Sequence, residues 1–299
     1  MEYLKTKTIL SKVKYGHEWF GIDYLMNLYR GCPHGCIYCD SRSLCYHIVH
    51  FDLVKGKENA LMILERELMT KRKKGVVGIG SMSDTYNPFE KTYLQTRQAL
   101  ELIKRYGFGV SIDTKSDLIL RDIDVLKQIN MNHNVIIKIT ITTPHDQLSK
   151  IIEPHVCVSS KRFQVIKKLS QNGLFVGILL TPVLPFLTDK EEDIKEMVKL
   201  AYQSGARFIV TYFGMTLRDR QRDYYYQQLD HYFPGLHQQY LKYYGNHYQC
   251  YSLKAKALYQ IFIKECHRYG ILYKMEDIIQ AYQKERKPKQ LSLFEEMKE

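Results

Sequence analysis

The 299-residue sequence has no apolar run long enough to cross a membrane as a helix. Its opening residues, Met1-Glu-Tyr-Leu-Lys-Thr-Lys7, lack the apolar core of a signal peptide. A cytoplasmic protein with no membrane partner is the expectation. Negative charge is also scarce: 32 Asp and Glu stand against 44 Lys and Arg, a net charge of +12. That balance favours an anionic partner, because a basic protein gathers near polyphosphate through long-range attraction. The cysteines do not suit a disulfide framework. There are seven, an odd number, and three share one short loop, so thiol chemistry in a reducing compartment is expected. Apolar residues at 45% and charged residues at 25% are ordinary for a globular chain and argue against disorder.

What is present is a thiol loop. The run Arg30-Gly-Cys-Pro-His-Gly-Cys-Ile-Tyr-Cys-Asp40 places Cys32, Cys36 and Cys39 at CxxxCxxC spacing, with Gly31 and Gly35 suited to backbone that wraps closely around a bound group. A closed structural zinc site takes four protein ligands, whereas three thiolates leave one coordination position for a substrate. No paired CxxC…CxxC is present. A zinc knuckle completed by His34, Asp40 or Cys45 remains an alternative, as does a second cluster built from Cys45, Cys250 and Cys266.

Periodicity beyond the loop alternates helices with short apolar strands. Strands are predicted at Tyr24 to Asn27, Val76 to Gly80, Phe108 to Asp113, Val135 to Thr142, Leu174 to Leu180 and Arg207 to Phe213. Helices are predicted at Glu58 to Met69, Pro88 to Tyr106, Leu120 to Ile129, Lys161 to Gln171 and Asp189 to Ser204. This alternation means an α/β fold with a parallel sheet, six β/α-type units, and a site at the carboxyl ends of the strands.

The cysteine loop resembles that of the radical S-adenosylmethionine (SAM) enzymes. The ordered strand-end motifs Ser83-Asp84-Thr-Tyr-Asn-Pro-Phe-Glu-Lys91, Asp113-Thr-Lys-Ser116 with Arg121-Asp122, Glu153-Pro154 and Thr181-Pro-Val-Leu-Pro185 resemble the spore photoproduct lyase-like branch, related to DNA repair photolyases. The resemblance covers roughly residues 20 to 215. It implies a partial (β/α)6 barrel, a [4Fe-4S] cluster on Cys32, Cys36 and Cys39, and SAM on the fourth iron. It also implies reductive cleavage of SAM to a 5′-deoxyadenosyl radical, with electrons from an external donor such as flavodoxin or ferredoxin. Tyr38 would pack near the adenine, and Ser83 and Asp84 would contact SAM. Lys115 would pair with its carboxylate, and Thr140 with its ribose or methionine portion. The lyases carry a cysteine hydrogen donor two residues before the Ser-Asp pair and a tyrosine after the last cluster cysteine. Here Ser81 and Asp40 stand at those places, which leaves Cys45 as the candidate thiol donor.

Four segments follow from this reading: an extension at 1–19, the core at 20–215 with its cluster loop at 31–40, a helical tyrosine-rich C-terminal subdomain at 216–283, and a tail at 284–299. Fifteen of the 24 tyrosines lie between Tyr202 and Tyr282. The stretch Leu217-Arg-Asp-Arg-Gln-Arg-Asp-Tyr-Tyr-Tyr226 interleaves guanidinium groups with rings, which suits either nucleic-acid contact or plain packing. In the tail, Gln290, Leu291, Ser292, Leu293 and Phe294 follow a charged linker and resemble the pentapeptide by which replication and repair proteins dock on the β sliding clamp. DNA is the leading substrate. An enzyme modifying RNA, protein or a small molecule is the first alternative, and a non-catalytic metal-bound nucleic-acid or clamp-binding module the second.

Overall fold

The computed structural model describes residues 1–14 and 18–284. The clamp-like motif Gln290–Phe294 therefore lies outside the described residues. Six parallel strands form the frame: β1 (Tyr24–Met26), β2 (Val76–Ile79), β3 (Gly109–Thr114), β4 (Val135–Thr140), β5 (Phe175–Leu180) and β6 (Ile209–Thr211). They lie side by side in sequence order, and the strand Leu10–Lys12 adds antiparallel to β1 at one edge. Because β1 and β6 do not pair, the sheet curves without closing. The expected partial α/β barrel is borne out.

The strands read as apolar runs because both faces are covered. Every residue of β4 is buried; Val135, Ile137 and Ile139 lie in the main core under the helices, while Ile136, Lys138 and Thr140 face the lumen side. Covering helices are α1 (Ala60–Thr70), α2 (Gln95–Arg105), α3 (Ile123–Asn132), α4 (Ser159–Gln171) and α5 (Glu191–Gln203). The helix expected from Pro88 to Tyr106 is broken. Leu94 adopts φ 51° between the short helix Glu90–Tyr93 and α2, and the buried Glu90 carboxylate accepts the Thr96 N–H at 2.9 Å, capping the second piece.

The C-terminal helices divide into two groups. Helices α6 (Asp219–Tyr232) and α7 (Leu236–Tyr244), with the ribbon Gly214–Thr216 and Gln249–Tyr251, pack Tyr225, Tyr240 and Leu229 against Ile37 and Tyr38 of the cysteine loop. Helix α8 (Ala255–Tyr269) returns to the barrel as the sixth covering helix. Its Leu258, Phe262 and Cys266 enter the main core, and Tyr269 lies 5.1 Å from Tyr202 of α5. Helix α9 (Met275–Lys284) closes the amino ends of the strands, where Ile278 and Tyr282 join Phe20, Phe175 and Phe208, and the Tyr282 hydroxyl donates to the Phe20 carbonyl at 2.6 Å. No helix among the described residues is long and apolar enough to cross a membrane.

Candidate functional site

The cysteine loop sits over the carboxyl ends of β1 to β4, held by backbone bonds from three directions. Cys32 N–H donates to Phe51 O at 2.8 Å, Ile37 N–H to Ile152 O at 3.0 Å, and His155 N–H to His34 O at 3.2 Å. Gly31 (φ +81°) and Gly35 (φ +70°) are required there. A Cβ on Gly31 would lie 2.6 Å from Leu53 O, and one on Gly35 would lie 2.9 Å from the His155 ring.

Cys32, Cys36 and Cys39 line one cavity together with Ser83, Asp84, Lys115 and Thr140, so the fold brings seven of the expected site residues to one place. Among the described residues, no three His, Cys, Asp or Glu side chains converge as ligands of a single metal ion. A zinc ion with bonds of about 2.3 Å needs its sulfurs far closer together than a four-iron cluster does. Burial raises all three thiols, Cys32 to about 12. Such thiols ionise only when a bound cation repays the loss of water. A donor set of two buried thiols and one half-buried thiol on the wall of one cavity fits a cluster.

The other residues are positioned by the strand ends. Asp84 ties β2 to β3: its carboxylate accepts from Tyr86 N at 2.8 Å, Thr114 Oγ1 at 2.8 Å and Lys115 N at 2.8 Å, and His34 Nδ1 lies 3.6 Å away. Ser83 Oγ donates to Gly31 O, joining the second strand end to the cysteine loop. Lys115 is half-buried. Burial pulls its ammonium down, but the facing charges of Cys36 and Glu153 outweigh that and raise it. It is a fixed cation beside the thiols, with no carboxylate at ion-pairing distance among the described residues.

Behind the cavity lies a buried network that sequence reasoning missed. Arg162 Nη2 meets Glu153 Oε2 at 2.6 Å, Nη1 donates to Thr140 O at 2.9 Å, and Nε donates to Cys157 O at 2.7 Å. The Tyr38 hydroxyl donates to Glu153. Burial alone would raise the Glu153 carboxyl, yet Arg162 and Lys115 hold it below its ordinary value. The Tyr38 hydroxyl thus belongs to this network and its ring to the α6–α7 core, with Lys115 Nζ 5.8 Å from the ring centroid. Deeper in the lumen, Lys138 Nζ pairs with Asp113 at 2.6 Å and donates to Ser111 Oγ at 2.7 Å. A lysine inside an all-buried strand was the available signal.

Cys45 is not brought to the site. Two short 3-10 turns over Asp40–Arg42 and Leu44–Tyr46 carry it outward, where it is exposed and its sulfur lies 3.1 Å from Arg218 Nη1. The donor role lacks geometry, and so does a second cluster, because Cys250 and Cys266 belong to separate cores. Ser81, by contrast, lines the cavity. The Arg-Tyr stretch turns inward as well. Arg220 donates to the carbonyls of Arg42, Ile48 and Val49, Arg222 to those of Leu217, Asn246 and His247, and Gln221 latches Tyr38 O at 3.0 Å. Arg220 thus holds the segment after the cysteines in place, and Arg222 ties the start of α6 to the turn after α7.

Comparisons with known proteins agree with this arrangement. An uncharacterized protein of Methanocaldococcus jannaschii is 33% identical over 180 residues, 59% of this chain and 66% of that protein. An uncharacterized protein of Mycobacterium tuberculosis is 27% identical over 209 residues, 68% of this chain and 61% of the relative. The chain thus spans less than two thirds of these relatives' lengths. Among solved structures, a point mutant of spore photoproduct lyase superposes with a TM-score of 0.65 at 13% identity, covering 89% of this chain and 78% of the other. The same lyase complexed with dinucleoside spore photoproduct gives 0.64 at 14% identity over the same shares. At such identity the likeness concerns the fold. The family profile of the radical SAM superfamily matches residues 26–201, more than half of the chain. This protein belongs to the radical SAM superfamily, whose cofactors are a [4Fe-4S] cluster and S-adenosylmethionine.

Proposed function

We propose that this protein cleaves SAM reductively and uses the resulting radical on a nucleic acid, with DNA the preferred substrate and repair the preferred role. The observation that carries the first part is the single cavity shared by three thiols, Ser83, Asp84, Thr140 and the ammonium of Lys115, which has no carboxylate at ion-pairing distance among the described residues. When bound, a reduced [4Fe-4S] cluster and SAM supply a 5′-deoxyadenosyl radical able to abstract hydrogen from carbon. Cys32, Cys36 and Cys39 hold the cluster, Lys115 meets the SAM carboxylate, and Asp84 keeps the two strand ends in register. The Glu153–Arg162 pair fixes the wall that Thr140 and the cysteine loop share. An external one-electron donor, a flavodoxin or ferredoxin, completes the turnover.

DNA is supported by three features: the net charge of +12, a fold like that of a lyase whose complex contains a dinucleoside photoproduct, and the Gln290–Phe294 string for docking on the β sliding clamp. The test is anaerobic reconstitution, reduction with dithionite and measurement of 5′-deoxyadenosine with and without ultraviolet-irradiated DNA. Stimulation by the DNA is expected. Equal yields with and without it would move the substrate to RNA, protein or a small molecule. Zinc instead of iron, with no 5′-deoxyadenosine at all, would overturn the catalytic reading. Clamp docking has its own check: binding lost in Leu293→Ala and Phe294→Ala.

A further inference from the structure

A small side sheet next to the barrel collects cations from three distant segments. Its order is Glu2–Leu4, Lys55–Lys57, Tyr29–Arg30, with Leu4 in register with Lys57 and Arg30 with Lys55. Lys5, Arg30 and Lys57 thereby line one cavity of about 330 Å³ whose lining includes no Asp or Glu. The next lysine along, Lys55, has a partner in Glu2 at 2.7 Å. Among the described residues, Lys5, Arg30 and Lys57 have no acid at ion-pairing distance; Arg30 Nη2 donates to the His47 carbonyl at 2.7 Å, which holds its guanidinium at the cavity wall. Glu67, the acid whose charge reaches Lys57, is spent on the backbone, accepting from Ile9 N at 3.0 Å and Leu10 N at 2.8 Å. Lys57 is half-buried, and burial first and the like charge of Arg30 second pull its ammonium below the ordinary value. Holding such a cation costs stability that a bound anion returns.

Two further features narrow the ligand. Asn27 Oδ1 on the same wall is a buried acceptor without a partner among the described residues, suited to a hydroxyl or amine beside the anion. Met82 and Ser83 line both this cavity and the one holding the three cysteines, so a molecule anchored here extends into the site. An adjoining cavity shares Arg30 and Ile48 and continues past His47 and His50, which gives a longer ligand room beyond Arg30. A phosphate joined to a sugar and base, continued by further phosphates, matches all of these.

We propose that Lys5, Arg30 and Lys57 form a phosphate-binding cavity that seats one nucleotide unit of a nucleic-acid strand at the edge of the radical site, with Asn27 accepting from its sugar or base. This rests on the nucleic-acid reading above. The test uses the full-length reconstituted protein, a short fluorescein-labelled single-stranded oligodeoxynucleotide followed by anisotropy across a salt series, and calorimetric titration with dTMP and with inorganic phosphate. Lys57→Gln is expected to weaken oligonucleotide binding about tenfold and Lys5→Gln about threefold, each lowering the salt slope by about 0.7. Lys57→Arg keeps the affinity. Lys167→Gln, on the outward face of α4, is the charge-matched control and binds as the native protein does. The Lys57→Gln thermal midpoint stays at or above the native one, since a poorly solvated charge is removed. Oligonucleotide affinity and slope unchanged in Lys57→Gln would overturn the cavity while leaving a nucleic-acid substrate intact. Lys57-dependent binding of dTMP without any binding of the oligonucleotide would keep the cavity and sink the polymeric substrate. No binding of oligonucleotide, dTMP or phosphate by the native protein would overturn the cavity.

Discussion

The barrel lumen holds one lysine at its open mouth and another a layer deeper, and the two are treated oppositely. Lys138, one layer below Thr140 in the middle of β4, is fully buried and fully occupied: it pairs with Asp113, its register partner on the neighbouring strand, donates to Ser111 and lies 4.4 Å from the Phe20 ring centroid. Below it, Phe175 and Phe208 stack at 5.6 Å and α9 seals the mouth. Lys115, at the carboxyl ends, has Cys36 and Glu153 as facing charges and, among the described residues, no carboxylate at ion-pairing distance. A cation whose needs are met inside the protein stabilises the fold. One left short of a partner at a cavity wall is positioned for something that arrives.

The largest expected effect separates the two ends outright. Cys32→Ala, Cys36→Ala or Cys39→Ala abolishes cluster retention and 5′-deoxyadenosine formation, measured by iron analysis and product assay. The thermal midpoint of the cluster-free variant matches that of the cluster-free parent, because the amino-end plug is untouched. The next tests the lysines against each other. Lys138→Met leaves Asp113 buried without its cation and costs about 3–5 kcal/mol, a fall in midpoint of more than about 5 °C. Lys115→Met leaves the midpoint close to native but weakens SAM binding about ten- to hundredfold, the loss of one charge-assisted contact. If both variants lost stability alike, the contrast between the two lysines would be wrong.

Much of this architecture was legible in sequence because it is local. The run Val135-Ile-Ile-Lys-Ile-Thr140 announces a strand covered on both faces, and the spacing of Cys32, Cys36 and Cys39 announces a ligand loop, since both patterns are set within a few residues. The side sheet was not legible. Its strands are two or three residues long, and Lys55-Gly-Lys57 carries no apolar period at all. Partner choice was equally hidden: nothing near Tyr38 in sequence points to Glu153, and nothing in the Arg-Tyr string tells whether Arg220 faces solvent or the carbonyls of Arg42 and Ile48. Leu94 in the left-handed region, splitting an otherwise continuous helical pattern, depends on the buried Glu90 beneath it.

A surface ion pair provides the scale against which the lumen pairs are judged. Arg97 meets Asp124 at 2.6 Å on the exterior and lowers its carboxyl to about 2, while Asp124 also sits in the first turn of α3. A folded pKa below the unfolded value of about 4 means stability that is present above pH 4 and lost as pH falls through about 2. Since the pair is solvent-screened, Asp124→Asn is expected to cost less than about 1 kcal/mol at neutral pH. That difference should vanish in denaturant titrations between about pH 4 and pH 2. A loss as large as that of Lys138→Met would mean that burial is not what separates the two classes of pair.

The smallest effect expected is none, and it concerns a thiol a few residues past the cavity. Cys45 shares the chemistry of Cys39 but not its place: it is exposed, and Arg218 Nη1 lies against its sulfur while Arg218 Nε lies 3.2 Å from Asp40. Hydrogen transfer to a carbon radical needs the donor beside the substrate, and Cys45 does not line the cavity, whereas Ser41 and Ser81 do. Cys45→Ala should therefore leave iron content, 5′-deoxyadenosine yield and substrate turnover unchanged, measured side by side with Cys39→Ala. Full cluster retention with turnover lost in Cys45→Ala would show that the loop carrying it swings over the cavity during the reaction, and that the boundary between the open and closed regions lies farther along the chain than Asp40.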